Sequence, residues 1–146
     1  MGSTAGMDEG KDLIKILVAE DDPDDRLLIR KAVAGIKAPF SLFFVSDGLQ
    51  LLDFLCRRGP YGSDSKAPKP DLILLDLNMP KLDGRGALSL IKKDNDLMRI
   101  PVVVFSTSSA PSDMELTLRL GAKSFITKPS SFQEFKSILS SLVDFC

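Results

Sequence analysis

The chain has 146 residues, with 19 Lys and Arg against 20 Asp and Glu, two cysteines and no histidine. Its length suits one domain that buries a full core without metals or disulfides, and the balanced charge gives no overall pull toward nucleic acid or anionic lipid. The absence of histidine removes imidazole acid–base catalysis, His metal ligands and any phosphohistidine step within the chain itself. No apolar run reaches the roughly 18 residues of a membrane span, and no signal-peptide pattern opens the chain. Cys56 and Cys146, far apart and without metal-site spacing, fit a reducing, cytoplasmic setting. Residues 1–10 read as a disordered leader; Met1 to Gly6 are small and polar, as in a cloning remnant, with Met7 as the natural start. Residues 11–146 are expected to form one domain with no second domain behind it.

Apolar runs and helical patterns alternate along the rest. Ile14 to Ala19 reads as a strand. From Asp24 to Ala34, Leu28, Ile29, Ala32 and Val33 recur at helical spacing; Gly35 ends this helix and Pro39 blocks its extension. Phe40 to Val45 is a second, aromatic-rich strand closed by Asp47-Gly48, and Leu51, Leu52, Phe54 and Leu55 follow with helical periodicity. Arg57 to Pro70, punctuated by Gly59, Pro60, Gly62, Pro68 and Pro70, is the long loop of the chain. Leu72 to Leu75 is an unbroken apolar run, the mark of a strand covered on both faces. It runs into Asp76 and a turn that closes at Asp83-Gly84. A helix over Arg85 to Lys93 turns Leu88 and Ile91 inward. Val102 to Phe105, introduced by Pro101, is a β-branched fourth strand, and Asp113 to Leu120 a fourth helix ended by Gly121. Ser124 to Ile126 is a short fifth strand. Ser131 to Phe145 is a last helix with Phe132, Phe135, Leu139 and Leu142 on one stripe. Five β-then-α units predict an α/β fold, a doubly wound five-stranded parallel sheet with helices on both faces. Right-handed crossovers make the strand order 2-1-3-4-5 one of two common solutions.

In such a sheet, ligands gather outside the carboxyl ends of the strands. Those ends carry Glu20-Asp21-Asp22 on the first strand, Asp76 on the third, Ser106-Thr107 on the fourth and Lys128 on the fifth. The strand order brings them to one crevice. A helix start accounts for Asp22 as N-cap, Pro23 at the first position, and Asp24 and Asp25 in the first turn. Glu20 and Asp21 precede the cap and are left over. Taken singly, Asp76 reads as a turn cap, Lys128 as a solvated charge and Ser106 as a polar strand end. Taken together they mean more. Two carboxylates beside Asp76 repel it unless a cation sits among them, and a hard oxygen set with open positions suits Mg²⁺, or Mn²⁺ in its place. Lys128, directly before Pro129, is held within reach of Asp76, and Ser106 offers a hydroxyl beside it. This is a set for phosphoryl transfer onto Asp76, a carboxylate nucleophile, with the cation and the ammonium neutralising charge on the transferring group.

Four segments, ILVAEDDP, LILLDLNMPKLDG, PVVVFS and FITKP, follow one another at the separations of the response regulator receiver domains of two-component signalling. From Ile14 onward the chain resembles that family. The resemblance implies a flavodoxin-like fold in which Asp76 accepts the phosphoryl group. It implies that Glu20 and Asp21 hold Mg²⁺ together with Asp76 and the backbone carbonyl of Asn78, that Lys128 contacts the phosphate, and that the Lys128–Pro129 bond is cis. Ser106 stands where Thr is more usual and keeps the hydroxyl. Phe125, where Tyr is frequent, still offers an aromatic switch. Glu20 replaces the more usual first Asp, a change that fits a metal contact through water. The stretches Arg57 to Tyr61 and Ile100 to Val104 resemble the single-domain regulators paired with phytochrome-type histidine kinases.

The implied protein is a stand-alone, phospho-accepting signalling protein and not a turnover enzyme: only self-catalysed phosphotransfer and autodephosphorylation are expected of it. The phosphoryl group comes from a partner sensor histidine kinase or a small phosphodonor. Ser106 and Lys128 are expected to close on it, and Phe125 to turn into the space Ser106 leaves, altering the face built from helix four, strand five and helix five. Met114, Leu116, Leu118 and Leu120 exceed what one buried stripe of helix four needs. Core packing explains each singly; the surplus fits a surface for a downstream protein or a homodimer. The alternative is a phosphorelay shuttle or adaptor that passes the group onward. A phosphohydrolase of the haloacid dehalogenase type also uses an Asp after a strand, but needs a second acid where Asn78 stands. A dinucleotide-binding domain lacks its Gly-rich loop after the first strand, and DNA binding lacks a basic patch or recognition helix.

Overall fold

The computed structural model describes residues 13–36, 40–62, 67–107, 110–128 and 132–142. The expected leader, Pro39, the Lys128–Pro129 bond and Cys146 lie outside the described residues. The elements run β1 Ile14–Ala19, α1 Pro23–Ala34, β2 Phe40–Val45, α2 Gly48–Cys56, β3 Leu72–Leu75, α3 Gly84–Lys93, β4 Val102–Ser106, α4 Pro111–Arg119, β5 Ser124–Thr127 and α5 Phe132–Leu142. The strands form one parallel sheet in the order β2-β1-β3-β4-β5, the order expected from the sequence. The long loop carries one correction: Gly59–Tyr61 forms a 3-10 turn, and Tyr61 stacks at 5.0 Å on the ring of Phe54.

The apolar strands are buried on both faces because alternate residues serve opposite layers. Leu17, Ala19, Ile73, Leu75, Val102 and Val104 pack with Leu51 and Phe54 of α2 and with Ala87, Leu88 and Ile91 of α3. Ile16, Val18, Leu72, Leu74, Val103 and Phe105 pack with Ile29, Ala32 and Val33 of α1 and Leu139 of α5. Of the stripe expected on α5, Leu139 is buried; the side chains of Phe132, Phe135 and Leu142 lie outside the described residues.

Three of the helices begin with an aspartate cap whose carboxylate accepts backbone N–H groups that have no partner within the helix. Asp22 caps α1, as expected, with Pro23 at the first position. Asp47 caps α2, accepting from Gln50 N–H, while the Gln50 side chain accepts from Ser46 N–H. Asp83 caps α3, accepting from the N–H groups of Arg85 and Gly86. In α4 the residue at the cap is Ala110, which has no side chain to offer.

α4 is also inverted in its polarity. Its buried residue is Thr117, whose hydroxyl donates back to the carbonyls of Asp113 and Met114. Met114, Leu116 and Leu118 are 36%, 37% and 47% exposed, so the surplus of apolar residues read in the sequence faces outward; Leu120 is half-buried against the core.

Candidate functional site

Three strand ends are each fixed by one backbone bond beyond the strand itself. Glu20 N–H donates to Val45 O at 3.0 Å, Asp76 N–H to Ala19 O at 3.1 Å, and Lys128 N–H to Ser106 O at 2.7 Å. The residues that follow β1, β3 and β5 are thereby held on the sheet's own ladder, a more rigid support than a free loop.

The turn after Asp76 is pinned as well. Gly84 N–H donates to Leu77 O at 2.9 Å, and a Cβ at Gly84 would lie 2.4 Å from the Asp76 carbonyl oxygen. Only glycine permits that approach. Gly48 plays the same part from α2: its N–H donates to Leu82 O at 3.0 Å, and a Cβ there would overlap that oxygen. Between the two glycines, Lys81 takes a left-handed conformation (φ 67°) to complete the turn.

These supports bring three acids together. One carboxylate oxygen from each of Glu20, Asp21 and Asp76 lies within 4.8 Å of the other two. Glu20 and Asp76 are buried, while Asp21 is exposed and forms the open side. Lys128 reaches in from β5, with its Nζ 2.7 Å from Glu20 Oε1, 2.7 Å from Asp25 Oδ2 and 3.7 Å from Asp76 Oδ2. The Phe105 ring lies 5.1 Å from the same ammonium. The bond to Asp25 is well formed. The approach to Glu20 is close, but its angle falls short of a hydrogen bond, so Glu20 Oε1 is buried without an aligned donor.

Burial pushes the Glu20 carboxyl up to about 7; Lys128 opposes the rise and the charge of Asp76 adds to it. Burial also raises Asp76 above its ordinary value, against the pull of Lys128 and of Asn78 N–H. Burial alone would lower Lys128, but its bond with Asp25, the close Glu20 carboxylate and the charge of Asp76 hold its ammonium above its ordinary value. Crowded acids of this kind are short of positive charge. An oxygen-only trio with a buried, undonated oxygen and one open side fits a hard divalent cation.

The remaining expected residues fall around this point. Ser106 ends β4 and is fully buried. Asn78 is exposed, and its N–H approaches Asp76 Oδ1 at 3.3 Å. Phe125, opposite Val104 in β5, is half-buried against the α2–α3 side of the core.

Asp25 keeps its expected place in the first turn of α1, and it has a second role there as the hydrogen-bond partner of Lys128. The clue was its position one turn before Ile29, on the stripe that α1 turns toward the sheet. Arg26 was missed too: its Nε donates to Glu20 O and its guanidinium reaches Ser46 Oγ, tying the ends of β1 and β2.

The chain belongs to the response regulator receiver domain family, whose model matches residues 16–140. It is 35% identical over 130 residues to the response regulator Rcp1 of Synechocystis sp. PCC 6803, covering 89% of this chain and 86% of Rcp1. The crystal structure of the Mn²⁺-bound form of Rcp1 superposes with a TM-score of 0.79 at 35% identity, over 90% of this chain and 92% of that one. The phosphorylated cyanobacterial phytochrome response regulator RcpA superposes with a TM-score of 0.81 at 39% identity, over 91% and 93%. RPA3017, a response regulator in red light signaling of R. palustris, does so with a TM-score of 0.85 at 34% identity, over 92% and 94%. The chain is therefore similar to the phytochrome-associated regulators, as its loop sequences suggested. Among the described residues, no helix is long and apolar enough to cross a membrane.

Proposed function

We propose that this chain is a stand-alone response regulator that accepts a phosphoryl group on Asp76 from a sensor histidine kinase of the phytochrome type. The observation that carries the proposal is the convergence of Glu20, Asp21 and Asp76 within 4.8 Å, with Lys128 beside them. In the transfer, an Asp76 carboxylate oxygen forms the new O–P bond while the N–P bond of the kinase's phosphohistidine breaks, and the imidazole leaves with the electron pair and takes up a proton. Glu20, Asp21, Asp76 and the Asn78 carbonyl would hold a Mg²⁺ or Mn²⁺, which would supply charge neutralisation to the transferring phosphoryl group. The chain's own contribution is positional. The ladder bonds hold Asp76 and Lys128 in place, burial excludes water from Glu20 and Asp76, Ser106 supplies a hydroxyl, and Lys128 an ammonium, to the new phosphoryl oxygens.

The product is a signal carried in the cytoplasm, and the chain turns over no substrate of its own. Closure of Ser106 and Lys128 on the phosphoryl group draws Phe125 inward and reshapes the α4–β5–α5 face, where the outward Met114, Leu116 and Leu118 favour docking of a downstream protein or a second copy. The test is incubation with acetyl phosphate and Mg²⁺ followed by intact mass measurement. The wild type is expected to gain one phosphoryl group, only with the cation present, and Asp76→Asn none. A Mg²⁺-dependent gain that survives in Asp76→Asn would sink the assignment.

A further inference from the structure

Arg85 follows directly on Gly84, whose backbone is wedged against the Asp76 carbonyl. Arg85 therefore moves with the turn that carries Asp76. Its guanidinium crosses to α4, where Nε and Nη2 donate to Asp113 Oδ1 at 3.1 and 2.8 Å. The two side chains are 30% and 21% exposed, so the contact is partly shielded from solvent. Two guanidinium N–H groups converging on one carboxylate oxygen make a more directional contact than a lysine ammonium does.

The place where it lands gives the contact its weight. α4 begins at Ala110 without the aspartate cap that starts α1, α2 and α3. It buries Thr117 where an amphipathic helix would bury an apolar residue, and it turns Met114, Leu116 and Leu118 outward. Thr117 is its buried residue, so a directional polar contact at its first turn helps to fix it on the sheet.

We infer that the Arg85–Asp113 pair tethers the start of α4 to the Asp76 turn, and that Arg85 is a positioning residue that sets how readily α4 shifts on phosphorylation. This rests on the reading of Asp76 as the phospho-acceptor. A tether between the Asp76 turn and α4 resists movement of α4, so cutting it lowers the cost of the rearranged state and raises that state's population beforehand.

The experiment measures the rate of phosphorylation by acetyl phosphate with Mg²⁺ in wild type, Arg85→Gln, Asp113→Asn and the double variant, and amide exchange across α4 in the same proteins before phosphorylation. Each single variant is expected to phosphorylate about 3- to 5-fold faster, the size of one partly exposed ion pair. The double variant should be no faster than either, and the first-turn amides of α4 should lose protection in all three. Arg85→Gln slower and Asp113→Asn faster would mean that these charges only steer the anionic donor, and would overturn the tether. Unchanged rates, or unchanged α4 protection, would overturn it as well. A wild type that takes up no phosphoryl group overturns the reading of Asp76 instead, and is told apart because amide exchange is read without phosphorylation.

Discussion

The two ends of the sheet treat a partly buried lysine in opposite ways. At the carboxyl end, Lys128 faces Glu20, Asp25 and Asp76, and these acids hold its ammonium above its ordinary value. At the amino end, Lys92 of α3 donates to the carbonyls of Met98 and Ile100 at 3.0 and 3.1 Å, and burial holds it below its ordinary value. Lys92 closes a loop whose carbonyls need a donor, a structural role. Lys128 sits among more negative charge than one ammonium can match. The difference separates a region built for stability from one kept short of positive charge so that a cation and a phosphoryl group have a place to bind.

Replacing the lysines is the strongest way to break this contrast. Lys128→Met is expected to slow phosphorylation of Asp76 by about 10²-fold or more, the usual cost of losing one charge-stabilising donor. It should also cost about 3–5 kcal/mol of stability near neutral pH without divalent cation, because buried acids lose their partner. Acetyl phosphate kinetics and urea unfolding read the two effects; near-normal rates would show that Lys128 is only a structural ion.

Changing pH sharpens the contrast with a smaller effect. Glu20, at about 7, and the raised Asp76 keep protons in the folded chain that the unfolded chain has already lost. The Glu20 contribution to stability is complete below its ordinary value of 4.5 and is lost as pH rises through about 7, and the raised Asp76 acts in the same direction. A divalent cation competes with those protons, so its apparent affinity should rise about tenfold between about pH 5.5 and 8. Thermal unfolding against MgCl₂ concentration at the two pH values measures this; equal affinity at both would count against a cation among these acids.

The smallest effect belongs to Lys92→Met. Losing its two carbonyl contacts should change stability by only about 1 kcal/mol and leave the phosphorylation rate at the wild-type value. A fall in that rate would mean that the two ends of the sheet are coupled.

The sheet was legible because its strands are unbroken apolar runs; Leu72 to Leu75 and Val102 to Val104, bounded by turn residues, suit strands covered on both faces. Strand ends follow from strand order, which is how Glu20, Asp21, Asp76, Ser106 and Lys128 were drawn to one edge in advance. The partners of those residues were harder to read. Asp25 looks like any acid in a first helical turn, and only its place on the stripe of Ile29 and Val33 turns it toward Lys128. Arg85 and Asp113 lie on different helices, and no period in the sequence connects them. Local pattern specifies elements, whereas contacts between side chains of distant elements depend on packing that a single sequence does not display.

The central claim is that Asp76 is the nucleophile and that its acid neighbours serve the cation. The most direct measurement is to phosphorylate the protein with acetyl phosphate and Mg²⁺, reduce the acyl phosphate with borohydride to leave homoserine at the modified aspartate, and read its position by peptide mass spectrometry. The expected result is homoserine at position 76 alone, appearing only with the cation. Homoserine at position 21, 22 or 25, or at 76 without any cation, would contradict it.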